Sequence, residues 1–282
     1  MKTLEIEYNG LNINKSTNFK ITQIEGLSDV PIRVTAQELT GSDGQAIYRT
    51  LYSARDVSIQ GIIISQDIET FYDDRRDLLR AYSRFGLKNT LRIRAYNGQD
   101  FLIDAVVTGR PQIIETPEQR HFGRFRIELR CPEPFFRTGE FDTFSAVPSQ
   151  LASGFPLMAP LLTPLGKNDG ESIVNINNIG DTDVYPEIKL EGRLVSPEVR
   201  NLTTGESFRI NTTIPEGRHV IIKREQGDEF VLLDGVTSYY QFFQGEVFRI
   251  AKGNNTIQIS SSGSTSDDTL LSITYQNLRD GI

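Results

Sequence analysis

The segment LRIRAYNGQDFLIDAVV, residues 91–107, contains the pattern that decides the fold. Leu91 and Ile93 alternate with arginines, and this period of two is typical of a β-strand with one buried face. Asn97-Gly98 follows, a pair that tolerates the positive φ angles of a two-residue hairpin turn. Alternation resumes after the turn, so the segment predicts a β-hairpin.

Similar alternation recurs on both sides of this hairpin. Residues 4–13 alternate around Asn9-Gly10, which predicts another hairpin. A strand from Phe125 to Cys131 ends before Pro132, which has no N–H to donate to a ladder. The first half of the chain is therefore predicted to be rich in strands.

One segment departs from this pattern and predicts an amphipathic helix over about residues 68–85. Its apolar residues recur with a period near 3.6: Ile68, Phe71, Tyr72, Leu78, Leu79, Tyr82 and Phe85. Ser65 and Asp67 are candidate N-terminal caps, and Gly86 is a candidate C-terminal cap. One helix among strands predicts an α+β first domain, either a β-barrel or a split barrel.

The periodicity lapses over residues 141–170, where prolines stand at 148, 156, 160 and 164. After this stretch, eight or nine short strand-like runs alternate with turn residues and predict a β-sandwich or jelly roll. We therefore predict three parts in a mainly β chain: a domain at 1–140, a proline-rich connector at 141–170 and a sandwich domain at 171–282.

Charge and composition restrict the class of protein. The chain has 282 residues, and no apolar run reaches the ~20 residues that a membrane helix needs. Two carboxylates within the first eight residues argue against an export signal, so we expect the protein to stay in the cytoplasm of the cell that makes it. The first 140 residues carry 19 basic and 19 acidic groups, and 15 of those bases are arginine; the remainder carries 11 and 18.

Arginines are the first candidate functional residues, since they alternate with apolar residues on predicted strands: Arg92, Arg94, Arg124, Arg126 and Arg130. Three interpretations are open: a solvated face, a nucleic-acid surface or a subunit contact. The acidic balance of the chain and the lack of a binding motif disfavour nucleic-acid recognition. We favour a subunit contact, because guanidinium groups pair well with carboxylates of a neighbouring copy.

Aromatic residues form the second candidate site. Tyr239, Tyr240 and Phe242, with Phe243, could stack on sugar rings, although strand alternation predicts that one side of the cluster enters the core. Half of the cluster is therefore expected to be structural.

Catalysis, cofactors and metals are not expected. The acidic pairs Asp73-Asp74 and Asp267-Asp268 are expected to be solvated, and Asp181 with Asp183 lacks the other ligands of a calcium loop. His121 and His219 stand in different predicted domains, and the single cysteine, Cys131, is expected to be buried. We therefore predict that the chain is not an enzyme.

Three features of the first half together resemble the distal tail proteins of long-tailed bacteriophages. They are Gly41-Ser42-Asp43-Gly44 ahead of the strand at 57–64, the single helix, and Cys131-Pro132-Glu133-Pro134-Phe135-Phe136. The second half also resembles that family's galectin-like or carbohydrate-module-like domain, in short matches: Val184-Tyr185-Pro186, Leu190-Glu191-Gly192, Asn201-Leu202-Thr203-Thr204-Gly205 and Gly253-Asn254-Asn255.

The resemblance implies a structural protein of the virion tail tip. Its first domain would form a homo-oligomeric ring, expected to be a hexamer, that connects the tail tube to the tip or baseplate. The ring would act as a hub for tail-tip proteins, including receptor-binding proteins. The alternative is a tail protein that binds host carbohydrate through its second domain. A β-sandwich glycosidase is a third class, and it would need a facing carboxylate pair that no motif supplies.

Overall fold

The structure is a computed structural model, and it describes residues 4–14, 17–41, 43–83, 86–116, 119–146, 172–225, 227–262 and 269–282. The chain forms two compact units, Met1–Gly139 with Leu278–Ile282 and Glu140–Asn277. The predicted mainly β fold is confirmed. Within the described residues, no helix has both the length and the apolar character needed to cross a bilayer.

The elements up to residue 138 are, in chain order, β1 (Glu5–Tyr8), β2 (Leu11–Ile13), β3 (Phe19–Glu25), β4 (Ile32–Glu38), β5 (Gln45–Tyr52), β6 (Arg55–Ile64), α1 (Ile68–Ala81), β7 (Asn89–Arg94), β8 (Asp100–Val107), β9 (Gln112–Thr116), β10 (Gln119–Cys131) and β11 (Phe136–Thr138).

The later strands are β12 (Asp142–Ala146), β13 (Ser172–Asn178), β14 (Glu187–Glu191), β15 (Leu194–Val195), β16 (Glu198–Asn201), β17 (Ser207–Ile210), β18 (Thr213–Ile214), β19 (His219–Glu225), β20 (Asp228–Leu233), β21 (Thr237–Ser238), β22 (Phe243–Gly245), β23 (Gly253–Ser260), β24 (Leu270–Tyr275) and β25 (Leu278–Arg279).

The first unit is built on a ten-stranded sheet whose main path is β2-β1-β7-β8-β10-β6-β3. β9 pairs with β10, and β11 lies between β8 and β25. The predicted α+β character is confirmed, but the described strands do not close into a barrel. The path ends at β2, which is only three residues long and shares no ladder with β3.

The longest ladder of this sheet joins β6 to β10, from Phe122 opposite Ile64 to Cys131 opposite Arg55. Alternate residues of both strands are buried, as the sequence pattern predicts. Gly61 faces Phe125, whose ring would lie 2.4 Å from any added Cβ. A side chain at position 61 is therefore incompatible with this packing.

The two Asn-Gly pairs form different turns. Asn9 and Gly10 both have positive φ, and Tyr8 pairs with Leu11, so this turn has the predicted two residues. At Asn97-Gly98 only Gly98 has positive φ, and the Ala95 N–H donates to Gln99 O, which leaves a three-residue loop. The two-residue prediction was wrong there, because the Asn97 side chain accepts the Gln99 N–H instead of adopting a left-handed backbone.

Helix α1 begins where Asp67 caps it, since the Asp67 carboxylate accepts the Thr70 N–H at 2.8 Å. It ends at Ala81, earlier than predicted. Tyr82 leaves the helical conformation and buries its ring against Tyr8, with centroids 4.9 Å apart. Residues 84 and 85 of the predicted helix lie outside the described residues.

The second unit is a β-sandwich, as predicted. One sheet has the order β12-β24-β14-β19-β20-β21, and the other has the order β13-β23-β16-β17-β22. Apolar residues of both sheets are fully buried, among them Ile188, Ile222, Phe208 and Ile257. Alternation of buried and exposed positions therefore forms this core as well.

The ends of the second unit differ from the predicted boundaries. Residues 142–146, assigned above to the connector, form β12 and pair with β24. Residues 278–282, assigned to the sandwich, belong to the first unit, where Leu278 pairs with Arg137. The rest of the predicted connector, with its four prolines, lies outside the described residues.

Arg55 lies fully buried at the start of β6 and holds three segments of the first unit together. Its Nε donates to Pro134 O at 2.8 Å, and its Nη1 donates to the carbonyls of Gly26 and Leu27 at 2.9 Å each. Its Nη2 donates to Asp280 O. The guanidinium also stacks 4.6 Å from the Phe136 ring centroid, and burial lowers the pKa of Arg55.

Replacing Arg55 tests this arrangement. Arg55→Met would leave four backbone carbonyls without their donor, and we expect the free energy of unfolding to fall by roughly 3 kcal/mol or more. Chemical denaturation followed by circular dichroism measures the change. The exposed Arg49 on β5 is the matched control, and Arg49→Met should change stability by less than about 0.5 kcal/mol. Equal effects at both positions would contradict this role of Arg55.

Candidate assembly surfaces

Arg92 and Arg94 lie side by side on β7 and are already paired within the chain. Arg94 Nε and Nη2 donate to the two Asp100 carboxylate oxygens at 2.8 and 3.1 Å. Arg92 Nη2 donates to Asp100 at 2.5 Å, and the two arginines also lie 3.7 and 3.8 Å from Glu7 and Glu5 of β1. This surface is a ladder of alternating charges across three strands.

Asp100 is the centre of that ladder. Hydrogen bonds from Arg94 hold the pKa of Asp100 at about 2, against an ordinary value of 3.8, and Arg92 acts in the same direction. The carboxylate is therefore ionised throughout the neutral range. Since the charges of Arg92 and Arg94 are balanced locally, both are poorly placed to capture carboxylates of another molecule.

The other three predicted arginines lie on the outward side of β10. Arg126 pairs with Glu128 at 3.1 Å, and Arg130 lies 3.8 Å from Asp56. Arg124 is exposed, and within the described residues it has no ion-pair partner. The structure thus divides the five arginines between two strands, and Arg124 alone keeps its charge available.

An apolar surface surrounds Arg124. The register places Ile114 of β9 on one side of Arg124 and Ile62 of β6 on the other, and Lys20 of β3 lies beyond Ile62. Ile114 is 66% exposed, and nearby Ile64 is 46% exposed. An exposed cation among exposed isoleucines is typical of an interaction surface rather than of a solvated face.

The aromatic cluster of the second unit does not form the predicted strand. Tyr240–Phe242 is a single turn of 3-10 helix, and none of its residues is buried. The turn directs these rings against each other instead of alternating them on two strand faces, and Phe243 is the member that packs toward the core. Tyr239 and Phe242 have centroids 4.8 Å apart, and Tyr240 packs on Phe243 at 5.8 Å.

Tyr240 is the most accessible ring of this group, at 51% exposure. Phe243 packs against the buried Phe208, with centroids 5.5 Å apart, and so anchors the cluster to the sandwich core. Polar side chains lie beside the cluster, where Asn211 donates to Gln244 at 2.8 Å. One exposed ring on a rigid base remains a candidate for stacking on a sugar.

The acidic and nucleophilic residues weighed above are engaged in structural contacts. Asp73 pairs with Arg76, while Asp74 accepts hydrogen bonds from Asn18 and Ser65. Asp183 accepts the Lys252 N–H. Burial raises the pKa of Cys131 to about 12, so its thiol is not a nucleophile at neutral pH.

Among the described residues, no group of histidine, cysteine and acidic side chains has the arrangement of a metal site. Asp267 and Asp268 lie outside the described residues.

One surface was missed by sequence reasoning. The hairpin β4–β5 forms a two-stranded sheet of its own, and every residue of β4 is exposed. Its signal was present in the sequence, since alternating Ile32 and Val34 precede the turn at 41–44. Leu39 N–H donates to Gly44 O at the tip of this hairpin, where Ser42 lies outside the described residues.

Comparison with known proteins found one family model that matches part of the chain. Residues 179–277, about a third of the chain, match the family model described as siphovirus-type tail component, C-terminal domain. No curated protein sequence matches the chain significantly. The second unit is therefore similar to a tail-component domain.

Solved structures extend the similarity to the whole chain. The Dit protein (gp 19.1) of phage SPP1, described as a paradigm of the hub adsorption apparatus in Gram-positive infecting phages, is 12% identical with a TM-score of 0.69. The match covers 98% of this chain and 99% of that one. A chain of the phage P2 baseplate in its activated conformation with Ca is also 12% identical, with a TM-score of 0.51 and coverage of 99% and 100%.

The predicted resemblance to distal tail proteins is confirmed. The chain has the fold of a distal tail protein, and it carries the matching tail-component domain over residues 179–277. The fold of the whole chain is therefore similar to that of the SPP1 Dit protein.

The Asp100 ladder predicts a pH dependence of stability. Because folding lowers the pKa of Asp100 from 3.8 to about 2, its contribution is complete above about pH 4 and is lost as the pH falls toward 2. Asp100→Asn should lower the free energy of unfolding at pH 7 by about 1 kcal/mol, a value reduced by the exposure of the arginines. Denaturation of both proteins at several pH values measures the difference.

That difference should shrink between pH 4 and pH 2. Asp73→Asn on the exposed face of α1 is the control, because its ion pair with Arg76 is largely solvated and should contribute little. A loss for Asp100→Asn that stays constant down to pH 2 would refute the assignment.

Proposed function

We propose that the chain is a non-enzymatic structural subunit of a virion tail tip. Copies of its first unit assemble into a closed ring, a hexamer, that joins the tail tube to the tip or baseplate. Tail-tip proteins, including receptor-binding proteins, attach to this hub. In this role the protein binds other subunits and tail proteins in a fixed geometry, and it catalyses no reaction.

The outward face of β10 carries the proposal. Arg124 lies exposed between Ile114 and Ile62 and has no ion-pair partner within the described residues. A soluble monomer has no need of an unpaired cation among exposed isoleucines, whereas a repeated subunit contact would bury the isoleucines and supply a carboxylate. The fold shared with the Dit protein of phage SPP1 agrees with a tail role.

A ring also explains why the neighbouring charges are balanced. Arg126 and Arg130 have partners on their own sheet, so among the described arginine side chains of β10 Arg124 alone lacks an ion-pair partner, and the face is not a broad positive field. Nucleic acid would require several free cations along a surface. The observed pattern fits a protein partner with a small number of carboxylates.

Charge reversal on this face tests the ring. The double substitution Arg124→Glu and Arg126→Glu should reduce assembly, because it removes the free cation and places two carboxylates on the contact surface. Light scattering of the purified protein measures the mass, and negative-stain microscopy shows whether the particles are closed rings. Arg76→Glu with Arg80→Glu, on the exposed face of α1, makes the same charge change elsewhere and should leave assembly intact.

Two results would contradict the proposal. Unchanged mass in the Arg124 and Arg126 variant would exclude this face as the contact. A stable dimer of the wild-type protein would contradict a ring, because a two-fold contact closes after two copies.

Recognition of host carbohydrate by the second unit is the second candidate, and Tyr240 is the observation that favours it. Its ring is half exposed, it is supported by Phe243, and polar side chains lie nearby. Aromatic faces beside amide groups suit the stacking and hydrogen bonding of a sugar. The proposal that this sandwich binds carbohydrate, as a galectin-like domain would, therefore depends on Tyr240.

A glycan array probed with the full chain tests this candidate. Binding that is lost in Tyr240→Ala and kept in Tyr96→Ala, an exposed tyrosine of the first unit, would support it. We expect at least a tenfold weakening for Tyr240→Ala. No signal from the wild-type chain on a broad array would remove the candidate.

A further inference from the structure

The hairpin β4–β5, called the arm below, exposes one apolar side. Its register pairs Ile32 with Tyr52, Val34 with Thr50 and Ala36 with Ile47. Side chains directly opposite each other share a face, so this series forms one continuous side of the arm. Ile47, Ile32 and Val34 are 68%, 58% and 51% exposed. We call Ile32, Val34, Ala36 and Ile47 the arm face.

The opposite side of the arm carries mostly polar side chains, and its apolar members, Leu51 and Ala46 of β5, are half-buried. Arg33, Thr35 and Gln37 alternate with the arm face along β4. A bulge beside Thr35 and Ala36 turns Tyr48 to this side, where its hydroxyl lies 3.2 Å from Gln37 Oε1. The arm is therefore amphipathic, with one side suited to water and the other suited to burial.

An isolated two-stranded hairpin is marginally stable in water, because it buries too little apolar surface. At its base, Ser53 N–H donates to Pro31 O and Tyr52 packs on Phe135 with centroids 4.9 Å apart. No other strand pairs with β4 or β5 in the described sheets. The arm face thus lacks the covering layer that a half-buried hairpin requires.

A surface of matching character lies on the outward side of β9, β10, β6 and β3. It contains Ile62, Ile64 and Ile114 together with Arg124 and Lys20, and we call these five residues the sheet patch. Neither Arg124 nor Lys20 has an ion-pair partner within the described parts of the chain. The sheet patch therefore combines apolar surface with two available cations.

The two surfaces are complementary in charge as well as in polarity. Glu38 continues the arm face toward the tip of the arm, where it pairs with Gln45 and is exposed. It is the one charged residue on that side of β4 and β5. Arg124 and Lys20 flank Ile62 in the sheet patch, so docking that covers the isoleucines would place the Glu38 carboxylate near cations with which it can pair.

We propose that the arm face of one copy docks on the sheet patch of a second copy of this chain. The proposal rests on the assembly proposed above and names the surfaces that form it. Because the two surfaces differ, the contact is heterologous, and repetition of it produces a ring when the rotation closes and an open filament when it does not. Every copy both donates an arm and receives one.

Single substitutions on the arm provide the first experiment. Val34→Glu places a charge in the arm face, and Thr35→Glu places the same charge on the polar side of the same strand. Analytical ultracentrifugation of the full chain should show a subunit dissociation constant at least tenfold higher for Val34→Glu. Thr35→Glu should assemble like the wild-type protein. Circular dichroism checks that both variants are folded.

Mixing two assembly-deficient variants provides the second experiment. Val34→Glu lacks a working arm face, and Ile114→Glu lacks a working sheet patch, so each alone should be monomeric. An equimolar mixture retains one working contact, from the arm of the Ile114→Glu copy to the patch of the Val34→Glu copy. It should form one-to-one heterodimers and nothing larger. A reciprocal two-fold contact would also give heterodimers in this mixture, but its wild-type protein would stop at a dimer, whereas the heterologous contact gives larger wild-type assemblies.

A charge exchange provides the third experiment. Glu38→Arg and Arg124→Glu should each weaken assembly, and the two substitutions in one chain should restore at least part of it. Loss without any restoration would remove Glu38 from the contact.

The outcomes separate this inference from the proposed function. Wild-type rings that persist unchanged in Val34→Glu and Ile114→Glu would overturn the inference and leave the ring standing. Heterodimers from the mixture, with wild-type filaments but no closed ring, would support the inference and overturn the ring. A wild-type chain that stays monomeric at all concentrations would overturn both.

Discussion

Burying a guanidinium is costly unless its N–H groups find acceptors, and Arg55 meets that requirement with backbone oxygens rather than carboxylates. The acceptors come from the end of β3, the segment before β11 and the segment after β25. Gly26 permits the close approach, since its φ is +85° and an added Cβ would collide with Asp56 O. The geometry at this point therefore fixes how three distant segments of the first unit meet.

Alternation in the sequence predicted β1, β2, β7, β8 and β10 of the main sheet, because burial of one face imposes a period of two on the residues. It did not predict β3, β9 or β11. The helix was predicted for the same reason, with its period of 3.6, although its end was not. Tyr82 continues the apolar stripe, yet its ring stacks on Tyr8, a tertiary contact that local periodicity does not contain. Arg55 shows the same limit, since nothing in its local sequence distinguishes a buried arginine from an exposed one.

The sequence predicted which arginines lie on outward strand faces, but it did not predict which acidic residues they contact. Alternation placed all five arginines on outward faces, but their partners depend on cross-strand register. Asp100 reaches Arg92 and Arg94 only because β7 and β8 pair as they do, whereas Arg124 falls between two isoleucines. The exposed arm was missed because a strand with one apolar face is normally assigned to a core. Its exposure follows from the sheet topology, in which β4 and β5 pair with each other and with no strand of the main sheet.

The path of the chain around β11 has a consequence for protein engineering. The second unit is an insertion between β11 and β25, and these two strands are hydrogen-bonded neighbours in which Arg137 pairs with Leu278. A short turn could therefore connect the two strands directly, or another domain could be grafted between them. Asp280 follows the graft site in the chain. The first unit would therefore keep the hydrogen bond from Arg55 to the Asp280 carbonyl. The insertion point is thus a position at which the second unit can be exchanged for another domain while the first unit is retained.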